Sequence, residues 1–141
     1  MAWTAHSAAG ARGGAQAYSR VALDTGVGAA GPHGLVALLF EGALRSIAVA
    51  QGALARGELG AKGAAISRAI EIIEDGLKAA IDDRSGGDLP ANLRALYDYM
   101  ARRLALAGAT NSGRELAEVA RLLSGLKEAW DAIRPRAAEA P

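Results

Sequence analysis

The amino-acid sequence predicts an all-α protein: an antiparallel four-helix bundle with a flexible N-terminal segment in front of it. Apolar residues recur every three or four positions in four successive stretches, which is the period of one helical face. Short turns rich in Gly, Ser, Asn and Pro separate these stretches. Hydrophobic residues make up 51% of the chain and aromatic residues only 4%, so Leu, Ile, Val and Ala must fill the core. Such a core suits closely packed helices.

Length and composition limit the classes of function. A chain of 141 residues fits one domain. A formal net charge of +1 gives no strong field that would attract nucleic acid or anionic lipid. The absence of cysteine excludes disulfides, thiol catalysis and thiolate metal sites. No basic stretch followed by an apolar run opens the chain, and no uninterrupted apolar run reaches about 18 residues. We therefore expect neither a secretory signal nor a membrane-spanning helix.

The N-terminal segment, residues 1–31, is rich in Ala, Gly and Ser and carries little charge. We expect it to be flexible by itself. Tyr18, Val21 and Ala22 nevertheless lie at helical spacing. This spacing predicts a short helix near residues 15–24 that docks on the bundle.

Helices one and two are predicted over residues 32–55 and 58–83. Pro32 suits a first helical turn, where its missing N–H costs nothing, and Gly57 suits the position after a last turn. The apolar stripe of helix one consists of Val36, Leu39, Phe40, Ala43, Leu44, Ile47, Ala50 and Leu54. The stripe of helix two consists of Ile66, Ile70, Ile73, Leu77 and Ile81.

Helix three follows the clearest break in the chain, at residues 85–87. Asp88 is expected to cap this helix, with Pro90 in its first turn. The helix is expected to end near Gly108. Its stripe consists of Leu93, Leu96, Tyr97, Met100 and Leu104.

Helix four is predicted over residues 114–133, after a turn at residues 111–113. Pro135 would stop it. The bundle would then occupy residues 32–134, and residues 135–141 would form a short tail. The stripe of helix four consists of Leu116, Val119, Leu123, Leu126, Trp130 and Ile133.

Two features that could indicate a cofactor or a metal are interpreted as structural. Residues 26–31 match a glycine-rich dinucleotide fingerprint literally, but a flexible segment precedes them and no second strand follows the helix. His6 and His33 are the two histidines of the chain, and neither belongs to a Glu-x-x-His pair of the di-iron bundle type. We therefore expect no cofactor and no metal.

The charged clusters are interpreted as solvated faces. Glu71, Glu74 and Asp75 alternate with the apolar stripe of helix two, so they would face water and not the desolvated pocket that acid–base catalysis requires. Arg94 and the pair Arg102 and Arg103 form a modest basic patch, whereas phosphate binding requires a broader stripe. The sequence thus predicts neither an enzyme nor a nucleic-acid-binding protein.

Apolar residues outnumber those that one bundle core requires. Helix one carries two additional leucines, helix two carries an additional row at Ala65, Ala69, Ile72 and Gly76, and helix three adds Leu106. Tyr97 and Trp130 lie on their stripes and should be core, whereas Tyr99 should be partly exposed. Exposed apolar grooves bind partners. Alternatively, the additional rows pack under the N-terminal segment or simply reflect an alanine-rich sequence. The predicted groove residues are Leu35, Leu38, Ile72, Tyr99 and Leu106.

Four pieces of the chain resemble, in the expected order, the flagellar export chaperone family that binds flagellin. Residues 17–21 resemble the Tyr-containing N-terminal segment of the family, and residues 32–44 resemble its helix-one signature. Residues 93–104, with their Leu-Tyr-Asp-Tyr-Met core, resemble its third helix, and Trp130 resembles a recurring Trp. The family usually has Ser before the proline of helix one, and Tyr-Asp where this chain has Phe-Glu at positions 40 and 41.

The resemblance implies a non-enzymatic cytoplasmic chaperone. It would hold the C-terminal region of newly made flagellin, prevent premature polymerisation and deliver the flagellin to the flagellar type III export gate. The resemblance also makes Tyr18 a candidate contact with the gate, while Tyr18 and Val21 are candidates to cover the groove in the free protein. The alternatives are a self-associating structural bundle and an adaptor for another amphipathic helix. Whether the protein is a monomer or a weak dimer stays open.

Overall fold

The computed structural model describes residues 31–133, which form the predicted all-α bundle. Helix α1 spans Gly31–Ala55, α2 spans Leu59–Glu71, α3 spans Leu89–Thr110 and α4 spans Gly113–Ala132. A π-helical segment at Ile72–Leu77, here called the π segment, continues α2, and a short 3₁₀ helix at Asp83–Ser85 follows it. The predicted docking helix, with Tyr18 and Val21, and the predicted tail lie outside the described residues.

The four helices occupy the corners of a square. Helix α1 packs against α2 and α4, and α3 packs against the same two helices, so α1 and α3 lie at opposite corners. Polar contacts confirm the antiparallel order, since Lys62 near the start of α2 reaches Gly108 near the end of α3. The predicted stripes form the core, whose largest fully buried side chains are Ile47, Ile73, Leu77, Met100, Leu104, Leu116, Val119 and Leu123.

Helix α1 is the most apolar element. Among the described residues it is the one helix that is long and apolar enough to cross a membrane, by length and composition alone. Its residues Leu39, Phe40, Ala43, Ile47 and Ala50 are buried in the core that α1 shares with α2 and α4. A core helix of a bundle needs this composition because two of its sides face other helices.

Helix two is shorter and less regular than predicted. Its α-helical part ends at Glu71, and in the π segment the backbone N–H of Lys78 donates to the carbonyl of Ile73 at 2.8 Å. The prediction of a continuous helix to residue 83 was wrong. Beyond the π segment, the Asp82 side chain accepts a hydrogen bond from the backbone N–H of Arg84 at 2.9 Å, which stabilises a 3₁₀ turn in place of further helix.

The additional apolar row of α2 is an interhelical contact and not an exposed groove. Ala65, Ala69 and Ile72 are buried. A Cβ atom placed on Gly42 of α1 would lie 3.4 Å from Cδ1 of Ile72, and one placed on Gly76 would lie 2.9 Å from Cδ2 of Leu39. The small residues therefore let α1 and the continuation of α2 approach closely, and the interpretation of this row as a free surface was wrong.

The turn between α3 and α4 is short. Asn111 ends α3 with a left-handed φ of 53°, which Asn tolerates better than most residues. The Ser112 hydroxyl oxygen then accepts a hydrogen bond from the backbone N–H of Arg114 at 3.3 Å and caps α4. At the start of α3, Asp88 occupies the predicted cap position, but its side chain makes no capping hydrogen bond.

Candidate functional site

The predicted groove residues fall on two separate surfaces. Leu35 and Leu38 are half-buried on α1. Tyr99 is half-buried on α3, and Leu106 on the same helix is 40% exposed. Because α1 and α3 lie at opposite corners of the bundle, these residues cannot form one continuous groove.

Ile72, the fifth predicted groove residue, does not lie on either surface. Its side chain is 2% exposed and belongs to the core cluster. The sequence pattern misplaced it because both the core-facing stripe and the row that faces α1 are apolar. A surface open to a partner therefore excludes Ile72.

Tyr99 belongs to a polar network between α3 and α4. Its hydroxyl donates a hydrogen bond to Oε2 of Glu118. Nε of Arg103 donates to the other oxygen of the same carboxylate at 2.7 Å, and the Arg103 guanidinium lies 5.9 Å from the centroid of the Tyr99 ring. We call the surface formed by Tyr99, Arg103, Leu106, Glu115 and Glu118 the α3–α4 surface.

The two glutamates of this surface are held in their charged form. Hydrogen bonds from Tyr99, and then from Arg103, lower the pKa of Glu118. Its carboxylate in turn raises the pKa of Tyr99. The Ser112 hydroxyl, followed by the backbone N–H of Glu115 itself, lowers the pKa of Glu115. Glu115 is only 9% exposed, and its Oε1 atom has no hydrogen-bond partner among the described residues.

A second apolar surface lies at the end of the bundle where α3 begins and α4 ends. Leu89 is 58% exposed and Ile133 is 54% exposed. The neighbouring side chains on these two helices that are half-buried and packed against the core are Leu93, Leu96, Leu122 and Leu126. Sequence reasoning missed this surface because it assigned Ile133 to the core stripe and gave Leu89, just before Pro90, no role.

An aromatic contact ties α1 to α4. The rings of His33 and Trp130 stack with centroids 4.5 Å apart, and Nε1 of Trp130 donates to the backbone carbonyl of His33 at 2.9 Å. Trp130 is half-buried and packs against the core. Its indole ring therefore contributes to packing while its N–H group keeps a hydrogen-bond acceptor. This contact gives His33 a structural role at the start of α1.

Lys78 pairs with one carboxylate of the α2 continuation and one of α3. Nζ of Lys78 lies 2.6 Å from Oδ1 of Asp98 and 3.5 Å from Oε2 of Glu74. The hydrogen bond from Lys78 lowers the pKa of Asp98, whereas burial, and then Asp75, raises the pKa of Glu71. Among residues 31–133, no group of three or more His, Asp or Glu side chains could hold a metal ion.

Comparison with known proteins gives one consistent result. A family model described as Flagellar protein FliS matches residues 14–137. The flagellar secretion chaperone FliS of Salmonella typhimurium is 44% identical over 124 residues, which cover 88% of this chain and 92% of that protein. FliSB of Pseudomonas aeruginosa is 42% identical over 82% of this chain and 91% of its own length. FliS of Bacillus subtilis is 32% identical over 81% of this chain and 80% of its own length.

Proposed function

This chain belongs to the FliS family of flagellar secretion chaperones, and from that premise we propose that it binds the C-terminal region of flagellin. Binding would prevent premature polymerisation in the cytoplasm and deliver flagellin to the flagellar type III export apparatus. The role requires no chemical step, because the chaperone acts by covering apolar surface and releasing it.

The observation that carries the proposal is the family match, which spans residues 14–137. In support, the bundle leaves large apolar side chains outside a core that is already filled. Leu106 is 40% exposed on α3, whereas Leu104 on the same helix is fully buried. Single exposed leucines are common, but several around one small bundle indicate surfaces that a partner covers.

The geometry supports a long, unfolded partner better than a single docked helix. The half-buried leucines of α1 and the α3–α4 surface lie at opposite corners, so one segment that contacts both must pass around the bundle. An amphipathic segment that is disordered when free can do this, because it folds on the surface as it binds. Ordering the segment offsets part of the contact energy, which keeps release possible.

The N-terminal segment has a proposed part in this cycle. Tyr18 and Val21 would cover part of the binding surface in the free protein, and Tyr18 would contact the export gate. Deletion of residues 1–24 should then strengthen flagellin binding or speed it. A tenfold loss of affinity on deletion would refute the covering role, and we would assign the segment to binding itself.

Titration calorimetry with flagellin tests the proposal directly. We expect full-length flagellin to bind with a dissociation constant between about 1 nM and 1 μM, and flagellin without its C-terminal segment not to bind. Leu106→Glu should weaken binding by about tenfold or more, whereas Ala64→Glu, at an exposed site on α2, should not. Absence of binding to full-length flagellin at tens of micromolar would refute the proposal.

Self-association is the second candidate, and the exposed Leu89 and Ile133 at one end of the bundle favour it. A second copy, or another amphipathic helix, could cover this end. Sedimentation equilibrium between about 5 and 500 μM would reveal a concentration-dependent mass if copies pair. A constant monomer mass of the unaltered chain over this range would exclude this role.

A further inference from the structure

The α3–α4 surface is surrounded by arginines that its two glutamates do not neutralise. Arg102, Arg114 and Arg121 are exposed, and none of them forms an ion pair with another residue of the described range 31–133. All three lie close enough to act on the polar network. Arg102 opposes the rise in the pKa of Tyr99, Arg114 contributes to the lowered pKa of Glu115, and Arg121 contributes to that of Glu118.

The charges within the network are already committed to each other. Glu118 accepts hydrogen bonds from Tyr99 and Arg103, and Glu115 faces Arg103 with an oxygen–nitrogen distance of 3.7 Å. The network of Arg103, Glu115 and Glu118 carries a net charge of −1, whereas the three outer arginines carry +3. The outer rim of the surface is therefore positive, although the whole chain carries a formal net charge of only +1.

An apolar contact lies inside this positive rim. Leu106 follows Arg102 by one helical turn on α3, and Arg114 is the second residue of α4, just after the short turn at Asn111. On α4, Arg114 and Arg121 are two turns apart, or about 10.5 Å along the axis. A leucine bordered by cations at this spacing matches a helix that presents an apolar stripe with a carboxylate on its flank every second turn.

We propose that the α3–α4 surface and its three outer arginines bind an amphipathic helix whose apolar stripe is flanked by acidic side chains. The inference rests on the proposed function only for the protein that supplies this helix, which would be the flagellin C-terminal segment. Exposed ion pairs contribute little singly, so Leu106 supplies the apolar contact and the arginines select which helix binds. Nucleic acid fits less well, because its phosphate backbone offers no apolar stripe to cover the exposed Leu106.

Three synthetic helical peptides test the charge selection on the full-length chain. Each has 18 residues with leucine at every third or fourth position, and the flanking residues are Glu, Gln or Lys. Fluorescence polarisation should give the Glu peptide an affinity at least about tenfold above the Gln peptide, and the Lys peptide should bind most weakly. Raising sodium chloride from about 0.05 to 0.3 M should remove most of the advantage. Equal binding of the Glu and Gln peptides would overturn the inference.

Matched variants locate the site. Arg114→Glu with Arg121→Glu should weaken the Glu peptide by about tenfold and strengthen the Lys peptide. Arg45→Glu with Arg68→Glu, at exposed positions on α1 and α2, makes the same change in net charge and should alter neither affinity by more than about twofold. Circular dichroism verifies that both variants fold. Equal effects of the two double variants would overturn the inference, because net charge alone would then explain the selection.

Two further arms separate this inference from the proposed function. If flagellin does not bind but the Glu peptide binds in an arginine-dependent way, the acidic-helix site stands and the flagellin assignment fails. If flagellin binds with no salt dependence and is unaffected by Arg114→Glu with Arg121→Glu, the proposed function stands and the inference fails. Tighter binding of a single-stranded 18-mer DNA than of the Glu peptide would also overturn it.

Discussion

Replacing Ile72 with alanine is expected to lower the free energy of unfolding by about 3–4 kcal/mol. The side chain is 2% exposed, so loss of its Cγ1, Cγ2 and Cδ1 carbons removes about 2.4 kcal/mol of transfer free energy at about 0.8 kcal/mol per carbon. The remainder comes from the cavity. Across the contact lies Gly42, whose missing Cβ would be 3.4 Å from Cδ1 of Ile72, so no side chain can move in from that position.

Urea denaturation followed by far-ultraviolet circular dichroism measures this loss. With a denaturant dependence of about 2 kcal/mol per molar urea, the midpoint should fall by roughly 1.5–2 M. Val49→Ala is the matched control, because Val49 also lies on a helix but is 51% exposed. Its unfolding free energy should change by less than about 0.5 kcal/mol.

The result that would refute the reasoning is an Ile72→Ala midpoint within about 0.25 M of the wild-type value. Such a result would mean that Ile72 contributes little packing and faces solvent or a partner. The acidic variant Ile72→Asp is a second test of whether Ile72 lies in the core or on the surface. If Ile72 is core, the aspartate variant should unfold more readily than the alanine variant, since it buries an unpaired charge.

Three further outcomes follow from the described geometry. Gly76→Ala should destabilise the bundle by about 1 kcal/mol, because the added Cβ would lie 2.9 Å from Cδ2 of Leu39. Gly63→Ala should stabilise the bundle by up to about 1 kcal/mol, because nothing lies within 4 Å of the added Cβ. Urea midpoints of the two variants that move in the same direction would contradict this reasoning. Burial raises the pKa of Tyr97 to about 12. The folded protein should therefore lose about 3 kcal/mol of unfolding free energy as the pH rises from about 10 to about 12. Alkaline unfolding titrations should show that Tyr97→Phe abolishes this loss. Lys62→Met should cost about 1–3 kcal/mol, because Nζ of Lys62 donates to the carbonyl of Gly108 at 2.8 Å and to Asn111 Oδ1 at 2.7 Å; an unchanged melting temperature would contradict that role.

The fold could be predicted from the sequence because each helix carries a stripe with the correct period. Periodicity reports which residues share a face, and the observed core matches those stripes closely. It does not report a single widened turn, so the π segment at Ile72–Leu77 could not be foreseen. The early end of helix two also depends on a local competition, in which the Asp82 side chain bonds the backbone two residues later.

The candidate site could be predicted only in part. Tyr99 and Leu106 lie off the stripe of helix three, and the structure leaves both at least partly exposed, as predicted. Ile72 also lies off its stripe, but it is buried because α1 covers that side with Gly42. A single sequence does not reveal which sides of a helix its neighbours occupy, and this information decides between a core residue and a surface residue.

The π segment has a consequence for how the length of this protein can change over evolutionary time. One widened turn holds one residue more than an α-helical path would need, and each residue of a helix turns its successors by about 100°. Loss of one residue from Ile72–Leu77 could therefore be absorbed as an α-helical turn, with Ala69 still against α1 and Lys78 still beside Asp98. A similar loss inside α1, α3 or α4 would rotate one half of the helix out of the core. Natural one-residue gaps among relatives should accordingly cluster at this turn.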